Sequence, residues 1–192
     1  DPDTVREFTA LSEQELDRIQ TLVHNLLTIT KLDAGTIVLD KSEHNLSDLM
    51  ADVRRRFAVQ AKQQGTMLSC SGDDDISLCC DAHWLGEAIG NLVKNALDHT
   101  KAGDTITITW RAFASIVQIT VQDNGSGIHP EDLPHIFKRF YRSRFSKDTQ
   151  GVGLGLPLAK TIIEAHSGTI EVDSTLGRGT VFTINLLIPT IL

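Results

Sequence analysis

Residues 90–100 read GNLVKNALDHT. Asn91 and Asn95 stand four residues apart in a stretch with helical character, with apolar Leu92-Val93 beside them and no acid between them. At 3.6 residues per turn that spacing stacks both amides on one face. Asparagine is an indifferent helix residue, because its side chain competes for nearby backbone groups. A pair on one face needs a reason beyond helix formation, and the surrounding chain has to supply it.

Working outward, the segments 66–72 (TMLSCSG) and 76–81 (ISLCCD) read as strands on either side of an acidic turn. Beyond the asparagine helix, 104–113 (DTITITWRAF) and 115–123 (SIVQITVQD) alternate apolar and polar, which predicts an antiparallel pair. Residues 129–142 are expected to hold one or two short helices, and 143–153 read as a polar loop. A further helix is predicted from Leu154 to Gly168, then a closing hairpin over 169–188. Upstream, 36–46 reads as a short strand and turn, and Ser47 is expected to cap a helix that Gly65 stops. The order implies an α+β fold: a two-layer sandwich of a mixed, mostly antiparallel sheet with helices on one face.

The first 35 residues differ in kind. Residues 5–33 contain no glycine or proline, and Leu16, Ile19, Val23, Leu26 and Thr30 follow the 3-4 spacing of a bundle seam. Leu22, Leu27 and Ile29 widen the stripe to that of a four-helix bundle. Such a helix, about 40 Å long, is unstable alone in water and needs a partner. Gly35 is its expected stop.

Composition excludes several classes. The net charge of −7 argues against a nucleic-acid binder. Cys70, Cys79 and Cys80 are odd in number with two adjacent, so a disulfide framework is not expected and a reducing compartment fits better. Cys79, Cys80 and His83 have no second ligand pair and read as small buried strand residues beside a loop rather than a metal site. No apolar run has the length of a membrane span.

Three glycine clusters follow the asparagine helix. Asp123-Asn-Gly125-Ser-Gly127 closes a strand, and a carboxylate there can accept from an exocyclic amine. Gly151-Val-Gly153-Leu154-Gly155-Leu156 runs into a helix, where free N–H groups meet anions. It lacks the Gly-Lys-Ser/Thr ending of a P-loop, and no parallel βαβ unit precedes it as a dinucleotide fold would require. Gly177-Arg178-Gly179-Thr180 forms a third turn. With Phe137-x-x-Phe140 between the first two clusters, the order over residues 36–190 resembles the ATP-binding domain of sensor histidine kinases, in the GHKL superfamily shared with gyrase and Hsp90.

The resemblance implies roles, residue by residue. Asn91 and Asn95 would present amide oxygens to Mg²⁺ on a bound triphosphate, as a hard ion requires. Asp123 would hold the adenine amine, with Gly125, Gly127 and Ile128 close to the base and His99 over the adenine or ribose. Phe137 and Phe140 would anchor an ATP lid, and Arg142 and Gln150 would reach the terminal phosphates. Gly151, Gly153, Leu154, Gly155 and Leu156 would wrap the phosphates, with Thr180 in the last glycine box. Arg139 stands where proline is usual. Asp98 stands where many relatives carry lysine; it is expected to point away, with Arg142, Arg144 or Lys147 supplying positive charge. Residues 1–35 look like the second helix of the dimerisation hairpin and 36–192 like the catalytic domain. The implied partners are ATP, a response-regulator receiver domain and a second copy through the helical bundle, and the implied location is the cytoplasmic part of a membrane-bound sensor.

Two rival readings share parts of this pattern. Related ATPases and anti-sigma serine kinases carry glutamate four residues before the metal asparagine, where Asn91 cannot act as a base. A degenerate regulatory module is the other rival, against which the intact glycine boxes argue. None of the seven histidines is followed by the acid of a phosphoacceptor motif, so the chain is expected to be part of a longer protein. Incubation of this chain with labelled ATP and Mg²⁺ is expected to give no stoichiometric acid-labile label; such label would refute the absence of an acceptor.

Overall fold

The computed structural model describes residues 2–143 and 152–188. Helix α1 (Pro2–Asp33) is the long helix. It ends where Gly35 turns to φ +64. There the Gly35 N–H bonds Leu32 O and the Thr36 N–H bonds Lys31 O, the paired closing bonds of a glycine C-cap. Its apolar stripe divides. Ile29 and Leu32 are buried in the core and Leu22 and Leu26 are half-buried against it. Leu16, Ile19, Val23 and Leu27 are exposed.

Strand β1 (Ser42–Asn45) leads directly into α2 (Leu46–Gln64). The cap is Asn45, not the expected Ser47. Asn45 keeps an extended backbone at φ −70, ψ 125, and its side chain accepts from the N–H groups of Ser47 and Asp48. Ser47 is already inside the helix as one of the donors being capped. Gly65 ends α2 in the left-handed conformation at φ 76.

Strands β2 (Met67–Gly72) and β3 (Ser77–Cys80) precede α3 (Ala82–His99), capped by Asp81. Then come β4 (Thr105–Ala112), β5 (Ile116–Asp123), α4 (Gly155–Ala165), β6 (Thr169–Thr175) and β7 (Gly179–Leu187). The five-stranded sheet runs β2-β4-β5-β7-β6, and β1 pairs separately with β3. Only β2–β4 is parallel, since α3 lies in the crossover between them. The other pairs in the sheet are antiparallel. Alternation sends Ile106, Ile108, Val117, Ile119, Phe182 and Ile184 into one face, where they are fully or almost fully buried. Helices α2, α3 and α4 contribute the facing half of the core. The expected α+β layering is therefore the observed one.

One local expectation is narrowed and one corrected. Of the one or two short helices expected within 129–142 the structure has one, a 3₁₀ turn at Leu133–His135. Pro130 and Pro134 withhold backbone donors, which keeps the segment from longer helix. Cys79 is exposed while Cys80 is buried and Cys70 intermediate, because neighbours on a strand face opposite ways. Among the described residues no cluster of His, Cys, Asp and Glu could hold a metal, and no helix is long and apolar enough to cross a membrane.

His166, at the end of α4, ties three segments together. Its Nδ1–H donates to Ile162 O at 2.8 Å, and its Nε2 accepts from the Asp81 N–H at 3.1 Å. The Asp81 carboxylate in turn accepts from the N–H groups of Trp84 and Asp40. This bonding uses the neutral ring. Burial pushes the imidazole below its ordinary 6.5; nearby Lys41 acts the same way, while Asp81 opposes. The unfolded chain therefore takes up a proton that the fold resists. The ring's contribution to stability is complete above the unfolded value and declines as pH falls through it toward the folded one. Thermal melts from pH 8 to 5 should show the wild-type midpoint falling more steeply with acid than that of His166→Gln; equal slopes would contradict the assignment.

Candidate functional site

Helix α3 is two-faced. Leu85, Ile89, Leu92, Val93 and Ala96 enter the core, while Asn91, Asn95 and Asp98 line a cleft of about 820 Å³. Residues 91, 95 and 98 are one stripe by helical spacing. Asp98 therefore lines the cleft and does not point away as expected: its position in the repeat leaves it on the asparagine side.

At one end of the cleft, Asn91 meets the start of α4. Its Nδ2 donates to Glu87 O at 2.9 Å, one turn back. That bond fixes the amide so that Oδ1 faces away from its own helix, 3.1 Å from where a Cβ on Gly155 would stand. The N-cap of α4, Leu154, gives no side-chain cap and is itself buried. The N–H groups of Gly155 and Leu156 thus have no helical acceptor, and both residues line the cleft. The positive end of the helix dipole is directed there as well.

At the other end Asn124, Gly125, Ser126 and Gly127 line the cleft, and Asp123, buried at the end of β5, lies just behind them without lining it. Its Oδ1 accepts from the Gly125 N–H at 2.9 Å. Burial raises its pKa above the ordinary carboxylate value; the N–H groups of Gly125 and Thr180 and the charge of His99 act against that rise. Thr180 is buried beside it, its Oγ1 3.0 Å from Ser174 Oγ. Ser174 Oγ also receives the Ile128 N–H. His99 lines the cleft and its carbonyl accepts from the Ser126 N–H at 3.0 Å.

The glycines expected to admit a ligand have a structural duty too. A Cβ on Gly125 would fall 2.2 Å from His99 O, and one on Gly127 2.2 Å from Thr175 O. On Gly179 it would fall 2.0 Å from Asp123 O. The close approach at these positions is between chain segments. It locks the end of α3, the loop after β5 and the β6–β7 turn into one floor.

Phe137 is half-buried, edge-on to Phe182 at 6.3 Å between centroids, with the Lys160 ammonium 5.5 Å from its own. Phe140 departs from its expected anchoring role: its ring is exposed and its backbone sits at φ 62. The anchor there is backbone, the Phe140 N–H donating to Gly153 O at 2.9 Å. Gly153, at φ +75, leaves no room for a Cβ beside Tyr141 O. Arg142 lines the cleft. Gln150, Gly151, Arg144 and Lys147 lie outside the described residues.

Three features escape the reading of the sequence. Tyr141 donates its hydroxyl to the buried Asp132 at 2.7 Å. Arg139 forms an ion pair with Asp33 of α1. Arg18 and Asn25, seven residues apart on one face of α1, also line the cleft. Their heptad spacing was the available signal, hidden because the apolar seam dominates that helix.

A family model of histidine kinase-, DNA gyrase B- and HSP90-like ATPases matches residues 80–190. The chain belongs to that family. As a member of the family it shares 34% identity over 188 residues with the sensor protein SrrB of Staphylococcus aureus, a match covering 97% of this chain and 32% of SrrB. It therefore spans about a third of the length of such curated relatives. Acinetobacter baumannii histidine kinase AdeS superposes with a TM-score of 0.79 at 23% identity, over 95% of this chain and 84% of that one. Histidine kinase ThkA, solved in complex with response regulator protein TrrA, gives 0.79 at 25% identity, over 98% and 53%. Full-length ShkA in complex with AMPPNP gives 0.84 at 23%, over 96% and 39%. The chain is thus the ATP-binding catalytic domain of a sensor histidine kinase, with a long helix before it.

The glycine geometry makes a paired prediction. Gly179→Ala, at φ +108 with no room, should destabilise by more than about 2 kcal/mol, since strain and overlap act together. Gly177→Ala, at φ +77 with open space, should cost only about 1 kcal/mol. Urea unfolding of both variants gives the comparison; equal losses would deny the interlock.

Proposed function

We propose that the cleft holds ATP lengthwise along α3, adenine at Asp123 and phosphates at the start of α4. The observation that carries this is the separation of its two ends. From Asn91 to His99 the helix rises about 12 Å, which suits an extended nucleoside triphosphate. At the first end are donors without helical acceptors, and at the second a buried carboxylate. The Asp123 carboxylate accepts from the adenine amine, with Gly125, Gly127, Ile128 and Thr180 forming the floor and His99 flanking the sugar and base. The N–H groups of Gly155 and Leu156 meet the phosphates, with Gly153 and Leu154 shaping the approach. Arg142, Gln150 and Gly151 belong to the lid reaching the terminal phosphate.

The residues at the phosphate end fit Mg²⁺. Asn95 and Asn91 offer neutral hard oxygens, and the Asn91 amide is already turned oxygen-outward by its bond to Glu87 O. Bound there, the ion supplies charge neutralisation to the triphosphate oxygens.

In the whole protein we infer transfer of the γ-phosphoryl to a histidine imidazole and relay to an aspartate of a response-regulator receiver domain. ThkA, whose complex with a response regulator is known, supports that partner class. This domain positions the nucleotide and stabilises charge. Asn91 stands where a hydrolase would need a general base, which favours an imidazole acceptor that attacks with its own lone pair. Residues 1–35 are read as the second helix of a dimerisation hairpin, whose exposed Leu16, Ile19 and Val23 await a second copy. Residues 36–192 are read as the catalytic domain, on the cytoplasmic side of a membrane-bound sensor. A net charge of −7 speaks against nucleic acid as a partner.

Two variants test the nucleotide reading. Asn95→Ala should weaken Mg²⁺-ATP binding by tenfold or more in calorimetry. Asp123→Asn should weaken ATP binding at least as much and raise the melting temperature of the free chain. The sign follows from the raised pKa: at neutral pH the fold carries a buried charge it disfavours, and the amide relieves it. Wild-type affinity in both variants would sink the proposal.

A further inference from the structure

We propose that Tyr141 and Asp132 are positioning residues that aim Arg142 at the terminal phosphate, so that this pair sets the preference for ATP over ADP by acting through Arg142. The inference rests on the ATP reading above and assigns a buried pair which that reading leaves unused.

Asp132 belongs to a rooted segment. It is 2% exposed. Its N–H donates to His129 O at 2.9 Å, and its carbonyl accepts from the His135 N–H at 2.8 Å, which sets the 3₁₀ turn. Buried Ile136 and Phe137, edge-on to Phe182, follow directly and hold that turn to the core. Burying a carboxylate is costly unless it is hydrogen-bonded. The Tyr141 O–H donates to the Asp132 Oδ1 at 2.7 Å, a length typical of a charge-assisted bond.

Tyr141 belongs to the segment that carries Arg142. Phe140 before it has φ 62, a conformation that costs a bulky residue energy and persists only where neighbours impose it. Here they do. The Phe140 N–H donates to Gly153 O at 2.9 Å and the Tyr141 N–H to Lys138 O at 3.2 Å. The Tyr141 ring lies against His135, with centroids 5.3 Å apart. Tyr141 is thus held at its backbone and again at its hydroxyl, and Arg142 leaves the chain at the next residue. Asp132, Tyr141 and Arg142 all line the cleft. A phenylalanine at 141 would fill the space of the ring. The hydroxyl adds the one bond that ties it to the rooted turn. A cation stabilises a phosphate best from a fixed position, so what the pair contributes is the aim of Arg142.

The experiment is calorimetric titration of the whole chain, in Mg²⁺, with ATP and with ADP. The proteins are wild type, Tyr141→Phe, Asp132→Asn, Arg142→Ala and the double variant Tyr141→Phe/Arg142→Ala, with thermal melts to check that each folds. Tyr141→Phe keeps the ring, and Asp132→Asn keeps an acceptor for the hydroxyl. Tyr141→Phe should bind ATP about fivefold more weakly than wild type and ADP within about twofold of it. Asp132→Asn should lie between wild type and Tyr141→Phe. On the Arg142→Ala background, removing the hydroxyl should change ATP affinity by less than about twofold, because the pair then has nothing to aim. A pair that only holds the fold would lower the melting temperature and weaken both nucleotides alike, or leave both affinities unchanged. Either result overturns the assignment, as does an undiminished effect of Tyr141→Phe on the Arg142→Ala background, and the nucleotide site still stands. A wild type that binds neither nucleotide would overturn both readings.

Discussion

The site depends on a steric constraint: three backbone carbonyls, of His99, Thr175 and Asp123, occupy the space that side chains at Gly125, Gly127 and Gly179 would take. These contacts join the end of α3 to the loop after β5 and to the β6–β7 turn. Without them Asp123 would have no fixed floor, and the stripe of Asn91, Asn95 and Asp98 would have no facing wall. Close packing of this kind admits no gradual relaxation, because backbone atoms cannot rotate away as a side chain can. The glycines therefore act first on the shape of the cleft, and only through that shape on any ligand.

The same floor carries a cost. Asp123 is buried with a raised pKa, and two N–H groups only partly offset its desolvation. A fold selected for stability alone would place an amide or an apolar group there. A carboxylate that has already lost its water is well prepared to accept from a ligand amine, since little further desolvation is needed on binding. Disfavoured burial and binding competence are thus two sides of one arrangement. By contrast His166, buried neutral and bonded at both nitrogens, settles its desolvation within the fold.

Strand alternation made the sheet legible in the sequence, as in Ile106-Thr-Ile108-Thr-Trp110, and glycine stops such as Gly35 and Gly65 marked helix ends. The asparagine stripe and the order of the boxes made the family legible. What escaped reading depended on contacts between distant segments. Asn45 outcompeted Ser47 as a cap because β1 holds it extended. Phe140 is expected to anchor a lid with its ring, yet the chain closes there through its backbone N–H and leaves the ring outside. Asp98 is the exception: electrostatics argue for its pointing away, but helical phase, which is local, keeps it on the cleft side with Asn91 and Asn95. Arg18 and Asn25 could be assigned to the cleft only once α1 had a place against the domain.

The ion pair of Arg139 with Asp33 has a mechanical meaning. Asp33 is the last residue of α1, and Arg139 immediately precedes Phe140, where the chain returns to Gly153. The end of the long helix is thereby fastened to the rim of the cleft across more than a hundred residues of sequence. α1 thus touches the rim segment through this pair as well as packing against α4. Both partners are about two-fifths exposed, so the fastening is worth at most about 1 kcal/mol. That is near thermal energy. The helix and the rim are joined by a catch that ordinary fluctuation can release and remake, so the pair sets a preferred position for the helix end without locking it.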